Sequence, residues 1–198
     1  MDQPSRTQEN ERQARILDGA LKVFLAYGFT RATMDDIARA SDISRPALYL
    51  LFRNKTDIYR AIGEALLEES IEKARDALSR KGSLADRFQM AVETALIALM
   101  DTFHNSPHGA EMLDMKNSLA GDIVGGWRER LVELFARAID GEAVRTGTEL
   151  SARGLSAPVL ANLLLDGLEG MKTRANDPDA QRKGASELIR VIELALKP

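Results

Sequence analysis

Cysteine is absent from this chain of 198 residues, which excludes a disulfide framework and thiolate metal sites and suits a reducing compartment. Aromatic residues are scarce at 5%, and there are six prolines; strands favour aromatic and β-branched side chains, so a chain rich in Ala, Leu, Glu and Arg leans toward helix. No apolar run approaches the roughly 18 residues that span a bilayer, and the opening stretch MDQPSRTQENERQAR holds no apolar segment of the signal-peptide kind. A cytoplasmic protein with no membrane contact is expected. A strong excess of one charge is also missing: 27 Lys and Arg face 30 Asp and Glu, for a net charge of −3, which argues against coating nucleic acid indiscriminately. What remains is an ordinary globular composition, 44% hydrophobic and 29% charged, long enough for one large or two small domains of about 100–200 residues.

The charge is unevenly spread. Residues 1–60 hold ten Lys/Arg against eight Asp/Glu, whereas the rest of the chain is net acidic. The polar first ten residues read as a mobile arm. From Glu11, Ile16, Leu17, Ala20, Leu21 and Phe24 recur at three- and four-residue spacing, one face of a helix that Gly28 closes. Thr33 reads as an N-cap, with Asp35 and Asp36 in the first turn where the helix dipole favours them and Ile37 and Ala38 turned inward. That short helix ends near Ala40. Ser41-Asp42-Ile43 connects it to Ser44, the cap of a third helix with Pro46 in its first turn, where a missing N–H costs nothing. Leu48 and Phe52 form the packed face of this helix, and Arg45, Ala47 and Tyr49 show on the other. Asn54 and Asp57 open a fourth helix whose stripe, Ile58, Ile62, Leu66 and Leu67, runs on to Leu78. After a break at Ser79–Ser83, helices are expected near 84–104, 107–119, 122–146, 157–175 and 179–197. No strand pattern occurs.

Two short helices joined by a tight turn make a helix-turn-helix, whose second helix can enter a DNA major groove. Arg45 and Lys55 each stand at the positive end of a helix dipole, mildly unfavourable for folding by about 0.3–1 kcal/mol. Something else should want them there, and a phosphate chain is the natural candidate, because helix N-termini and adjacent cations bind the same anion.

The stretch FLAYGFTRATMDDIARASDISRPALYLLFRNKTDIYRAI strongly resembles the DNA-binding head of the tetracycline-repressor-like (TetR) family of bacterial regulators. The features that carry the likeness are Tyr27-Gly28-Phe29, Thr33 before Ile37-Ala38, Ser44 before the recognition helix, Tyr49 three residues before Phe52, and Lys55. The resemblance implies that Thr33, Tyr49 and Lys55 meet phosphates while Ser44, Arg45, Pro46 and Ala47 face base edges. Arg45 would supply direct readout of guanine or grip phosphate alone, and Pro46 and Ala47 could touch thymine methyls. Two positions depart from the family pattern: Asp42 stands where the turn usually has glycine, and Leu51 where a histidine often precedes the phenylalanine. Asp tolerates a left-handed backbone, so the turn should survive.

The fold implied is all-α, with a three-helix head (1–60) joined by a long helix to a ligand-binding and dimerisation domain (61–198), about nine helices in all. In such regulators the last two long helices pair with their copies in a second subunit. Here Leu160, Leu164, Leu168, Met171, Leu188 and Ile192 are the candidate dimer residues, with completion of the chain's own core as the alternative. A homodimer would set two heads one DNA turn, about 34–36 Å, apart on a palindromic operator. A small-molecule ligand pocket is expected from Phe88, Met100, Phe103, Met112, Leu113, Met115 and Trp127, with Thr94, His104 and Asn117 as polar fixers, although Met and aromatic residues at helical spacing usually serve as core. The reading is a ligand-released repressor.

His104 and His108, near Glu111 and Asp114, suggest a metal, but Pro107 separates them into different helices and no third firm ligand stands out. No cofactor is expected. An enzyme would need a constellation that is missing, since there are two His, no Glu-x-x-His pairs and no glycine-rich loop after a strand. A helical ligand carrier has no use for Arg45, Tyr49 and Lys55 in this arrangement.

Overall fold

The structure is a computed structural model that describes residues 6–114, 116–174 and 178–197. Among these every regular element is helical, and no helix is long and apolar enough to cross a membrane. The chain forms two compact units, one of residues up to 67 together with 100–125, the other of 68–99 together with 126–198.

The first unit contains α1 (Arg6–Tyr27), α2 (Met34–Ala40), α3 (Arg45–Tyr49) and the start of α4 (Lys55–Ser79). Helix α1 begins earlier than expected: the stretch 6–10 is helical where the sequence suggests a mobile arm. The remaining signals give the structures they imply. Ile16, Ala20, Val23 and Phe24 are buried on one face of α1, and Gly28 ends that helix with φ +83°, its N–H donating to the Phe24 carbonyl. The Thr33 hydroxyl accepts from the Asp36 N–H while the Asp36 carboxylate accepts from the Thr33 N–H, a reciprocal cap. Asp42 takes φ +53°, the left-handed turn that a short polar side chain can tolerate. Leu48 is fully buried and Phe52 nearly so, and Asn54 caps α4 by accepting from the Asp57 N–H at 2.9 Å.

The same unit includes α6 (Ala98–His104) from Met100 on, α7 (Gly109–Asp114), α8 (Lys116–Leu119) and the first turn of α9 (Gly121–Thr146). The compact units thus divide the chain differently from a boundary at residue 60, with this segment tied to the head. The Tyr59 hydroxyl donates to the Met112 carbonyl at 2.7 Å, Arg60 donates to the Leu119 carbonyl at 2.6 Å and doubly to Asp122, and Glu111 accepts from the Thr30 N–H and hydroxyl at 3.0 and 2.8 Å.

The second unit is built from the rest of α4, α5 (Leu84–Ala91), a π-helical turn (Val92–Ile97), α9 from Gly126 on, α10 (Ala157–Arg174) and α11 (Pro178–Ala195). Its core joins Ile71 and Leu78 of α4, Phe88 of α5, Leu131, Phe135 and Ile139 of α9, Leu160 and Leu164 of α10, and Ile189 and Ile192 of α11. The helix expected over 84–104 is interrupted by the π turn, where the Ala95 carbonyl accepts from the buried Ser70 hydroxyl at 2.8 Å and Ser70 accepts from the Trp127 indole at 3.2 Å. A widened turn leaves carbonyls free of the α ladder, and Ser70 supplies the donor.

Candidate nucleic-acid interface

Helix α3 is short, and its orientation is set by its buried side. Successive residues turn by about 100°, so Leu48 and Phe52 point together into the head while the opposite direction falls on Leu50, with Pro46 one turn before it. Ser44, Arg45, Pro46, Tyr49 and Leu50 are exposed and Ala47 is half-buried. The face expected to meet a duplex is thus free in the single chain. Ser44 caps α3 by accepting from the Ala47 N–H at 3.3 Å. The Arg45 guanidinium lies 5.6 Å from the centre of the Tyr49 ring, a cation–π contact one helical turn long that steadies both side chains.

Lys55 is used differently from the sequence-based expectation. Its ammonium donates to the carbonyls of Phe29, Thr30 and Ala32 at 2.7, 3.0 and 3.1 Å and sits 4.7 Å from the Phe29 ring centre. An ammonium has three protons, and all three are spent on the α1–α2 turn. The cation at a helix N-terminus is explained by carbonyls of its own chain, so a phosphate contact is not its first role. Thr33 is similarly engaged: its hydroxyl donates to Asp36 at 2.6 Å. Those hydrogen bonds hold the Asp36 carboxyl below its ordinary pKa of 3.8, with Arg39 adding to the effect, so an acidic group flanks the place where a phosphate was expected.

The candidate ligand residues are divided between the two units. Phe88, Thr94 and Trp127 lie in the second, where Phe88 is fully buried with its ring edge-on to Phe135 at 4.9 Å, Trp127 packs on the core, and the exposed Thr94 donates to the Met90 carbonyl. Met100, Phe103, His104, Met112 and Leu113 lie in the first, Phe103 and Met112 buried and the others half-buried. Met115 and the side chain of Asn117 lie outside the described residues. Phe88 is thus a core residue.

Most of the candidate dimer residues also belong to the chain's own core. Leu160, Leu164 and Ile192 are buried, and Leu168 and Leu188 pack against them. The reason lies in two glycines: a Cβ at Gly167 would stand 2.5 Å from Leu188, and one at Gly184 would strike the Met171 sulfur, so Leu188 and Met171 fill the close approach of α10 to α11. The apolar side chains these helices leave open are Val159, Leu163, Val191 and Leu194, at 46, 55, 59 and 51% exposure. Sequence reasoning missed Val159, Val191 and Leu194 because each stripe is wide enough to offer two faces, and only packing shows which one the core takes.

It also missed the ties of Thr30, Tyr59 and Arg60 to residues 111–122. Arg60 holds the Asp122 carboxyl down to about 2, and burial pushes the Tyr59 phenol up to about 12, so the hydroxyl stays a donor. Hydrogen bonds from Thr30, with His108 nearby, likewise keep Glu111 below its ordinary range. No local pattern marks these partners. Leu50, in contrast, could have been found by helical spacing alone.

The sequence model for bacterial regulatory proteins of the tetR family matches residues 16–62, from within α1 to the start of α4. Residues 16–62 thus carry a DNA-binding head of the tetR type. The chain's helical architecture agrees along its length with solved structures: a TetR-like regulator from Rhodococcus sp. RHA1 aligns with a TM-score of 0.61 at 22% identity over 95% of this chain and 97% of that one. SmeT of Stenotrophomonas maltophilia, the repressor of a multidrug efflux pump, aligns with a TM-score of 0.66 at 17% identity over 92% and 89%. Among curated relatives, the transcriptional repressor Rv1474c of Mycobacterium tuberculosis is 29% identical over 84% of this chain and 85% of its own. The transcriptional activator FasR of Mycolicibacterium smegmatis is 28% identical over 55% of this chain and 48% of its own, so the match spans about half of that protein. Both of these relatives are named as transcriptional regulators.

Proposed function

We propose that this protein is a TetR-family regulator that binds a palindromic operator as a homodimer, represses transcription there, and is released by a small apolar or amphipathic molecule. The observation that carries the reading is the free outer face of α3, with Arg45 braced on Tyr49. In this arrangement Arg45 reads a guanine edge, Ser44, Pro46 and Ala47 approach neighbouring bases, and Tyr49 rests on the sugar–phosphate chain. Thr33 and Lys55 act behind them by fixing the α1–α2 corner. The second copy docks on the face marked by Val159, Leu163, Val191 and Leu194, and isologous pairing of one patch with itself gives the two-fold symmetry a palindrome needs. The overlap with a curated repressor over 84% of this chain and 85% of its own favours repression over activation.

Release runs through the segment from Met100 to Asp122. The ligand acts on its apolar side chains, Met100, Phe103, Met112 and Leu113, and the Glu111–Thr30, Tyr59–Met112 and Arg60–Asp122 bonds carry the displacement to the head. Couplings of this kind are typically about 1–3 kcal/mol, a loss of DNA affinity of roughly 5–150-fold. The test is retention of genomic fragments by the purified protein. Enrichment of palindromic fragments over scrambled duplex is expected, and equal retention of both would refute operator binding.

A further inference from the structure

Leu50 is the outlier of the head. It is 83% exposed, yet its backbone is helical (φ −69°, ψ −25°) and its N–H is held by the Pro46 carbonyl, so its side chain has a set direction. That direction is opposite to the buried pair Leu48 and Phe52, since two residues on the helix turn by about 200°. A single exposed leucine is ordinary on a protein surface. This one stands at the C-terminal end of the outward face of α3, as its C-cap, with exposed Pro46 one turn before it and exposed Arg45 and Arg53 on either side in sequence.

We propose that Leu50 is a specificity-determining residue that packs its isobutyl group against the C5-methyl of a thymine in the major groove. The inference rests on the DNA-binding reading above and deepens it. The chemistry leaves one partner: of the features that the four base-pair orientations present in the major groove, the thymine methyl is the apolar one, and the rest are hydrogen-bond donors and acceptors that a leucine cannot satisfy. A leucine pressed on an amino or keto group would strip its water without replacing the hydrogen bond, which opposes binding. Leu50 therefore selects thymine both by attraction and by rejecting the alternatives. Exposed Arg53, three residues further on, is placed to hold a phosphate of the same groove while Arg45 reads its guanine.

The experiment uses the full chain to select sites from a random duplex library, then replaces each thymine of the retained site by uracil, which removes the methyl and leaves the hydrogen-bonding edge intact. One replacement per half-site removes two methyls from the palindrome and is expected to weaken wild-type binding about fifteenfold, roughly fourfold for each buried methyl. Leu50→Ala should bind the thymine and uracil sites equally, with an unchanged thermal transition because the side chain is exposed. Indifference of the wild type to every replacement would overturn the assignment, and so would a Leu50→Ala protein that keeps the full penalty, since Pro46 or Ala47 would then be reading the methyl. A lowered melting temperature in Leu50→Ala would also overturn it, by showing the side chain packed. Failure to enrich any duplex would overturn the DNA-binding reading itself, an outcome distinct from enrichment without methyl dependence.

Discussion

Lys55 shows how one side chain can be claimed by two physical demands. A cation at the first residue of α4 opposes the helix dipole, and the three carbonyls it binds at 2.7–3.1 Å repay that opposition within the chain. Lys55→Ala should therefore lower stability by about 2 kcal/mol, the order of a charged hydrogen-bond donor lost from partly buried acceptors, measured by urea unfolding. An unchanged midpoint with weaker DNA binding would instead return Lys55 to the phosphate. Arg45 makes no such internal bond among the described residues and there lies over the Tyr49 ring. Arg45→Ala is expected to leave stability within about 0.5 kcal/mol and to relax preference at one base of each half-site; an equal affinity loss on specific and random DNA would make it a phosphate contact. A third residue-scale case is Ser41, whose hydroxyl is buried without a partner among the described residues. Ser41→Ala should be neutral or stabilising by up to about 1 kcal/mol, because an unpaired buried polar group is removed, and a clear fall in the unfolding midpoint would expose a hidden partner.

At the scale of elements, the head depends on how closely α1 meets α2. A Cβ at Gly19 would stand 2.5 Å from the Ser41 hydroxyl and 3.1 Å from the Ala40 backbone. Gly19→Ala improves helix propensity by roughly 1 kcal/mol, but the overpacking it causes typically costs about 1–3 kcal/mol, so net destabilisation of the head is expected by thermal melting; a stabilised variant would mean that the helices can part cheaply. The ties between the head and residues 111–122 have their own signature in pH. The Asp122 carboxyl falls from 3.8 to about 2 on folding, and Glu111 is also lowered. Groups with a depressed folded pKa stabilise above their unfolded value and lose that contribution as pH falls through the folded one. Amide exchange in α7 and the start of α9 should therefore accelerate as pH drops from about 4.5 toward about 2, after correction for intrinsic exchange rates, and Asp122→Asn should weaken the dependence. Protection that stays flat across that window would show that these ties contribute little. The helix stripes, caps and turn of the head were legible in the sequence because each is a local relation: Thr33 with Asp36, Ser44 with Ala47, Leu48 with Phe52. Glu111 with Thr30 was not, because partners eighty-one positions apart leave no periodic trace, and the π turn at Val92–Ile97 depends on Ser70, on another helix, for its carbonyl partner.

For the whole molecule, the same contrast decides what could be read of assembly and regulation. The apolar stripes of α10 and α11 were visible, but Leu160, Leu164 and Ile192 close the chain's own core. The side chains proposed to meet a second copy are those the core leaves over. Leu163→Glu with Val191→Glu should yield a monomer by sedimentation, with the helical content kept since both positions are exposed; persistence of the dimer would place its interface elsewhere. Since most of the gain in affinity for a palindrome comes from engaging two heads at once, the monomer should lose more than the two substitutions could cost any single head. The central claim, that two copies present α3 to one duplex, is tested most directly by measuring the stoichiometry of the protein on its selected operator by analytical ultracentrifugation. Two chains per palindrome and one per isolated half-site at higher concentration are predicted. A single chain on the full palindrome, or complexes that grow with duplex length regardless of sequence, would contradict it.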